Sequence, residues 1–71
     1  MSVFTKILTR SGYTRQYSIR PDREGWEISQ REDDRTVRLV CCSDWHRVER
    51  ALTLFQQQVS ALEEQGWLSP R

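Results

Sequence analysis

The chain has 71 residues, of which 37% are hydrophobic, and its 11 basic and 10 acidic side chains give a formal net charge of +1. This length predicts a single small domain, residues 1–71, and the balanced charge excludes a global field that would attract nucleic acid or a membrane. No stretch approaches the roughly 20 apolar residues of a membrane span, and the amino terminus lacks the apolar run of a signal peptide.

The first predicted element is a β-hairpin formed by residues 3–10 and 13–20. A Ser-Gly pair at 11–12 separates the two alternating segments, and such a pair favours a two-residue turn. This turn places Phe4 opposite Ile19. The hairpin therefore has one apolar face and one mostly polar face, as a half-buried sheet requires.

The second predicted element is another hairpin, formed by residues 25–31 and 36–42 around the acidic tip 32–35. The symmetric tip places Trp26 opposite Cys41. The acidic run Glu-Asp-Asp in the tip lacks the alternating ligands, glycine and distal glutamate of a calcium loop, so we interpret it as a solvated turn.

A loop at residues 20–25, which contains a proline and a glycine, joins the two hairpins. Pairing Ile19 with Trp26 across this loop aligns the apolar faces of all four strands. The predicted core face of the sheet consists of Phe4, Leu8, Tyr17, Ile19, Trp26, Ile28, Val37, Leu39 and Cys41. The fold class that follows is α+β, a four-stranded antiparallel meander with one carboxy-terminal helix packed on one face.

The helix is predicted at residues 44–65 from an apolar stripe at alternating steps of three and four. The stripe consists of Trp45, Val48, Leu52, Phe55, Val59 and Leu62. Ser43 or Asp44 is the expected N-cap. Gly66 ends the helix and allows Trp67 to fold back over Leu62 in a Schellman cap. Residues 68–71 are expected to form a frayed tail.

The two cysteines and the histidine are the only group in the sequence that suggests a metal site or a reactive thiol. Cys41 and Cys42 are adjacent, which rules out an ordinary disulfide framework and favours a reducing, cytoplasmic location. With His46 they fall short of a zinc ligand set. The sequence predicts no catalytic residue, no metal site and no cofactor, although thiol-dependent activity at Cys42 stays open as a second alternative because a helix amino terminus lowers a thiol pKa.

Basic and aromatic side chains alternate in the first hairpin, a pattern that suits phosphate contact and base stacking. Tyr17 belongs to the predicted core face, so the aromatic candidate is Tyr13. The residues expected to bind single-stranded nucleic acid, if it is bound, are Arg10, Arg15, Arg20, Arg31, Arg38 and Tyr13.

Several apolar residues fall outside the predicted core. Leu54 and Ala61 lie on the helix away from the main stripe, and Val3, Ile7 and Val40 lie on the predicted outer face of the sheet. Two such groups on one small domain indicate self-association. The predicted homodimer interface consists of Leu54, Ala61, Val40 and Ile7.

Four segments carry a resemblance to a known group of proteins: residues 17–20, 26–29 and 37–40 as alternating strands, and 43–45 as a capped helix start. The chain resembles the strand-strand-strand-strand-helix group of single-stranded-DNA-binding proteins that includes positive cofactor four, the Pur-alpha repeats and the Whirly proteins. The resemblance implies a homodimer packed through its helices, with sheets that present basic and aromatic residues to one strand. That family surface is rich in lysine, whereas this chain has only Lys6.

The function predicted from the sequence is a non-enzymatic interaction or accessory module that works as a homodimer. Its partner is a second copy or another protein, and no membrane is involved. Sequence-tolerant binding of single-stranded nucleic acid is the alternative.

Overall fold

The architecture is a four-stranded antiparallel sheet with one helix across it, seen in a computed structural model that describes residues 2–70. The elements are β1 (Phe4–Arg10), β2 (Tyr13–Asp22), β3 (Gly25–Glu32), β4 (Arg35–Cys42) and α1 (Trp45–Glu64). The strands lie in the order β1-β2-β3-β4, and α1 contacts all four. The predicted α+β meander with a carboxy-terminal helix on one face is confirmed.

The β1–β2 hairpin forms in the predicted register, with Phe4 opposite Ile19 and Leu8 opposite Arg15. Its two-residue turn has positive φ at both positions, 52° at the serine and 82° at the glycine. This backbone matches the twist of the flanking strands, which is why short hairpins favour it.

The connection between β2 and β3 is shorter than the sequence predicts. The expected loop at residues 20–25 shrinks to a two-residue turn at 23–24, because β2 continues through Pro21 and Asp22. β1 begins at Phe4, so this end of β2 has a neighbouring strand on one side only. A proline, which lacks an N–H group, is tolerated there.

The longer β2 changes the pairing of β2 with β3 by two residues. Ile19 lies opposite Ile28, and Trp26 lies opposite Pro21, so the predicted pairing of Ile19 with Trp26 is wrong. A shift of two residues preserves the face on which each side chain lies. The core side of the first three strands is therefore as predicted.

A β-bulge changes the pairing of β3 with β4. Arg31 lies opposite Thr36, as the predicted turn requires, but the next residue, Gln30, lies opposite Arg38. Val37 is the extra residue between them. Such an insertion shifts the rest of the strand by one position, so that each later side chain lies on the opposite face of the sheet.

Beyond the bulge, the two faces of β4 are the reverse of those predicted. Val40 and Cys42 lie opposite Ile28 and Trp26 and pack against the core. Val3, also expected on the outer face, packs against the core as well. The predicted core residues that the structure leaves exposed are Val37, Leu39 and Cys41.

The core lies between α1 and the inner face of the sheet. Its buried members are Leu8, Tyr17, Ile19, Ile28, Val48, Ala51, Phe55, Val59, Leu62 and Trp67. The helical stripe is as predicted except at its first residue. Trp45 is 44% exposed and lies against Trp26, with ring centroids 5.1 Å apart.

Both ends of α1 are capped by local sequence. The carboxylate of Asp44 accepts a hydrogen bond from the His46 N–H at 2.9 Å, which satisfies a free donor of the first turn. At the other end Gly66 has φ 96°, and the Trp67 N–H donates to the Leu62 carbonyl at 3.0 Å. These contacts confirm the predicted Schellman cap.

The chain after the helix is held against β1, whereas the sequence predicts a frayed tail at 68–71. The Thr9 N–H donates to the Leu68 carbonyl at 2.8 Å, and the Leu68 N–H donates back to Thr9 at 3.0 Å. The Schellman cap turns the chain towards the sheet, so Leu68 reaches the edge of β1. Arg71 lies outside the described residues.

Candidate interaction surface

The six residues predicted to bind nucleic acid do not share one face of the sheet. Arg20 follows the buried Ile19, and Arg31 lies opposite Gln16, which precedes the buried Tyr17, so both arginines lie on the outer face. The members on the side of the sheet that carries α1 are Arg10, Tyr13, Arg15 and Arg38. Arg38 was expected on the outer face, and the bulge in β4 moves it.

Cations from the amino-terminal half surround the carboxyl end of α1. Lys6 pairs with Glu63 at 3.8 Å, and the Arg15 guanidinium lies 5.1 Å from the centre of the Trp67 ring. The last turn of α1 has no basic residue of its own. Cations from the sheet therefore lie near the negative end of the helix dipole, which gives the basic amino-terminal segment a structural role.

The remaining arginines of the set differ in how they are paired. Arg20 donates to Glu27 at 2.8 Å across β2 and β3. Arg10, Arg31 and Arg38 are exposed, and within residues 2–70 none of them forms an ion pair. Three guanidinium groups are thus free for other contacts, those of Arg10 and Arg38 on the side of α1 and that of Arg31 on the outer face.

The predicted thiol site at Cys42 is not assembled as a cysteine–histidine pair. Cys42 is half-buried, and its Sγ donates a weak hydrogen bond to the Asp44 carbonyl at 3.9 Å. The His46 ring, exposed at the start of α1, lies 3.5 Å from the Glu49 carboxylate instead. Cys41 points away from both, on the outer face.

The surroundings of Cys41 disfavour its thiolate. Although Cys41 is exposed, desolvation by neighbouring atoms raises the pKa of its thiol, and the carboxylates of Asp22 and Glu27 raise it further. Because the thiolate is the reactive form, a raised pKa lowers reactivity at neutral pH.

We therefore expect Cys41 to be alkylated slowly at neutral pH. In a Cys42→Ser variant, the rate of iodoacetamide labelling, followed by mass spectrometry, should rise with an inflection above that of the same variant in denaturant. An inflection below the denatured value would contradict the surroundings described for this thiol.

Other features of the described surface carry less chemistry. A depression between the β2–β3 turn and the start of α1 mixes acidic, basic and thiol side chains, and no group of three or more His, Cys, Asp or Glu within residues 2–70 is placed to hold a metal ion. None of the helices in that range combines the length and apolar character needed to cross a membrane.

The outward surface of α1 is only weakly apolar. Leu54 is 38% exposed, and Ala61 is also exposed. Shallow grooves beside them are lined mainly by the polar residues Arg50, Thr53, Gln56, Gln57, Ser60 and Glu64. Single exposed apolar side chains of this kind are ordinary on a protein surface.

An exposed apolar row lies along β4, and we call it the β4 ridge: Val37, Leu39 and Cys41. Val37 is 41% exposed and Leu39 is 58% exposed. Of the predicted interface residues on the sheet, Ile7 is 37% exposed on β1, whereas Val40 faces the core. The ridge thus replaces Val40 as the apolar surface of β4.

The two edges of the sheet differ in whether their backbone is covered. At Thr9 the β1 edge is paired with Leu68. β4 is the other edge strand, and nothing within residues 2–70 pairs with its outer side. An uncovered edge presents unpaired N–H and C=O groups that can bind another strand. Open backbone and the β4 ridge therefore lie on the same strand.

Comparison with protein-family models, with curated proteins and with solved structures finds no match for this chain. The resemblance to the single-stranded-DNA-binding group thus stays a prediction, and the surface itself is the basis for a functional proposal.

Proposed function

We propose that the chain is a non-catalytic interaction module that works as a homodimer, in a reducing cytoplasmic setting where both thiols stay free. The observation that supports this proposal is the uncovered edge of β4 with its apolar ridge. Edge strands are usually protected by charge, proline, bulges or a covering segment. In β4 the bulge and the arginines lie in the first half of the strand, and residues 39–42 have no charge, no proline and no covering segment from residues 2–70.

The size of the chain favours association as well. A domain of this length buries only about 60% of the surface that its unfolded chain exposes, and small domains often gain stability from oligomerisation. Pairing the ridges of two chains would give the exposed leucine and valine side chains apolar neighbours across the junction, each such cross-strand pair contributing roughly 0.2–1 kcal/mol.

The test is the mass of the protein in solution. We expect sedimentation equilibrium at micromolar concentration to give twice the 8.5 kDa of one chain, with dissociation on dilution. A mass that stays at one chain up to high concentration would contradict the proposed homodimer.

Binding of single-stranded nucleic acid is a second candidate, supported by the free guanidinium groups of Arg31 and Arg38. Each phosphate contact on a single strand contributes roughly −0.7 to the slope of log affinity against log salt. Arg31 and Arg38 lie on opposite faces, so a strand bound to one face contacts one of them, which predicts a slope near roughly −0.7.

An oligonucleotide titration at several salt concentrations separates the two candidates. If nucleic acid is the partner, replacing Arg31 and Arg38 by glutamine removes the slope, whereas Arg20→Gln, at an arginine already paired with Glu27, leaves most of it. Absence of binding at low salt would eliminate this second candidate.

A further inference from the structure

We infer that the partner of the β4 edge is the β4 edge of a second copy, paired antiparallel about Leu39, so that the two sheets join into one continuous eight-stranded sheet. This inference rests on the proposed homodimer and adds its surface and register. Three features of the described chain support it: the side chains along β4, the position of Arg38, and the bridge on the edge of β1 at Thr9.

A two-fold axis perpendicular to the sheet brings like faces together. Pairing about Leu39 then places Leu39 opposite its own copy and Val37 opposite the partner's Cys41. The β4 ridge of each chain thus meets the ridge of the other across the junction, forming apolar cross-strand pairs on one face. On the inner face, Arg38 lies opposite the partner's Val40.

The neighbouring two-fold registers are less favourable. Pairing about Arg38 would put two guanidinium groups directly opposite each other, and like charges in that position destabilise a sheet. Pairing about Val40 shortens the overlap and leaves Val37 without an apolar partner within β4 (Arg35–Cys42). Pairing about Leu39 overlaps residues 36–42 of both chains and avoids the opposed arginines, with the bulged Val37 of each chain near the end of the overlap.

The other edge of the sheet is a poorer partner for β4. Thr9 of β1 already exchanges two backbone hydrogen bonds with Leu68. A second copy that paired along the whole of β1 would have to displace that segment, because the bridge occupies the carboxyl-terminal part of the strand. The edge of β4 needs no such displacement, so two copies of β4 make the less costly junction.

The register can be tested by disulfide cross-linking. In a chain with Cys41→Ser and Cys42→Ser, we expect Leu39→Cys to form an intermolecular disulfide under mild oxidation, because directly opposed β-carbons are close enough for a modest shift to bridge them. Leu54→Cys in the same background is the matched control, since Leu54 is exposed on α1. It should stay uncross-linked.

A charge substitution tests the same junction independently. Leu39→Lys opposes two ammonium groups on the outer face and removes the apolar pair of leucines, so the dimer dissociation constant should rise roughly tenfold. Ile7→Lys is the control on the other edge strand and should leave the constant within about threefold. Circular dichroism checks that both variants keep the fold, and should Leu39→Lys fail to fold, the cross-linking decides.

The outcomes separate this inference from the proposed function. Cross-linking of the Leu39→Cys variant, together with dissociation of the Leu39→Lys variant, supports the β4 junction. A stable dimer that cross-links in the Leu54→Cys variant and tolerates Leu39→Lys would overturn the junction while leaving the homodimer in place. A wild-type chain that never dimerises would overturn both.

Discussion

Phe55→Ala should unfold most of the protein at physiological temperature. Phe55 is fully buried at the middle of α1 and packs against the rings of Phe4 and Tyr17, with centroids 6.4 and 5.0 Å away. Removing a buried phenylalanine costs about 3–5 kcal/mol. Whole domains are stable by only about 5–15 kcal/mol, and a chain of this size falls near the low end. The free energy of unfolding in urea measures the loss.

Thr53→Ala is the matched control for this prediction. Thr53 is exposed on the opposite side of α1, two positions from Phe55. Its replacement should change the free energy of unfolding by less than about 0.5 kcal/mol. Equal losses for the two variants would mean that α1 presents a different face to the sheet.

Gly25→Ala should be the most damaging change outside the core. Gly25 has φ 156° and opens β3 directly beside the end of β4. A β-carbon there would collide with the Cys42 carbonyl oxygen and lie 2.8 Å from the Ser43 α-carbon. Both obstacles are backbone atoms, so no side-chain rotation relieves them. Overpacking and backbone strain together predict a loss of about 2–4 kcal/mol.

Gly12→Ala separates the collision from the general cost of replacing a glycine. Gly12 has φ 82°, but nothing lies within 4 Å of the position that its β-carbon would take. We expect a loss of about 1 kcal/mol, the cost of a left-handed backbone for an alanine. Thermal unfolding of the two variants should therefore differ by several degrees, and an equal shift would argue against a close approach of β4 to Gly25.

The first hairpin and α1 could be predicted because each has a local signal that permits one arrangement. Ser11 and Gly12 define a tight turn, and the stripe centred on Phe55 has helical spacing. β4 lacks such a signal, because residues 39–42 are all apolar and show no alternation of apolar and polar side chains. The sequence pattern therefore does not show which of these side chains face the core. The bulge at Val37 determines which face each of them lies on.

The candidate surface was hidden by the same ambiguity. The sequence predicts Leu39 in the core and Val40 on the surface, whereas Leu39 is 58% exposed. The uninterrupted apolar run in the last strand was the available signal, because a sheet covered by one helix buries only one of its faces. The contact between Leu68 and Thr9 had no signal in the sequence, since it depends on where the helix ends in space.

The Leu68–Thr9 bridge has a consequence for assembly as a whole. A sheet with two open edges can add subunits head to tail without limit, as in fibrils, because such contacts do not close on themselves. In the dimer that we propose, the β1 edges stay on the outside of the joined sheet, and the bridge at Thr9 prevents another strand from pairing along the whole of β1. A single backbone bridge thus makes open-ended addition of subunits less favourable.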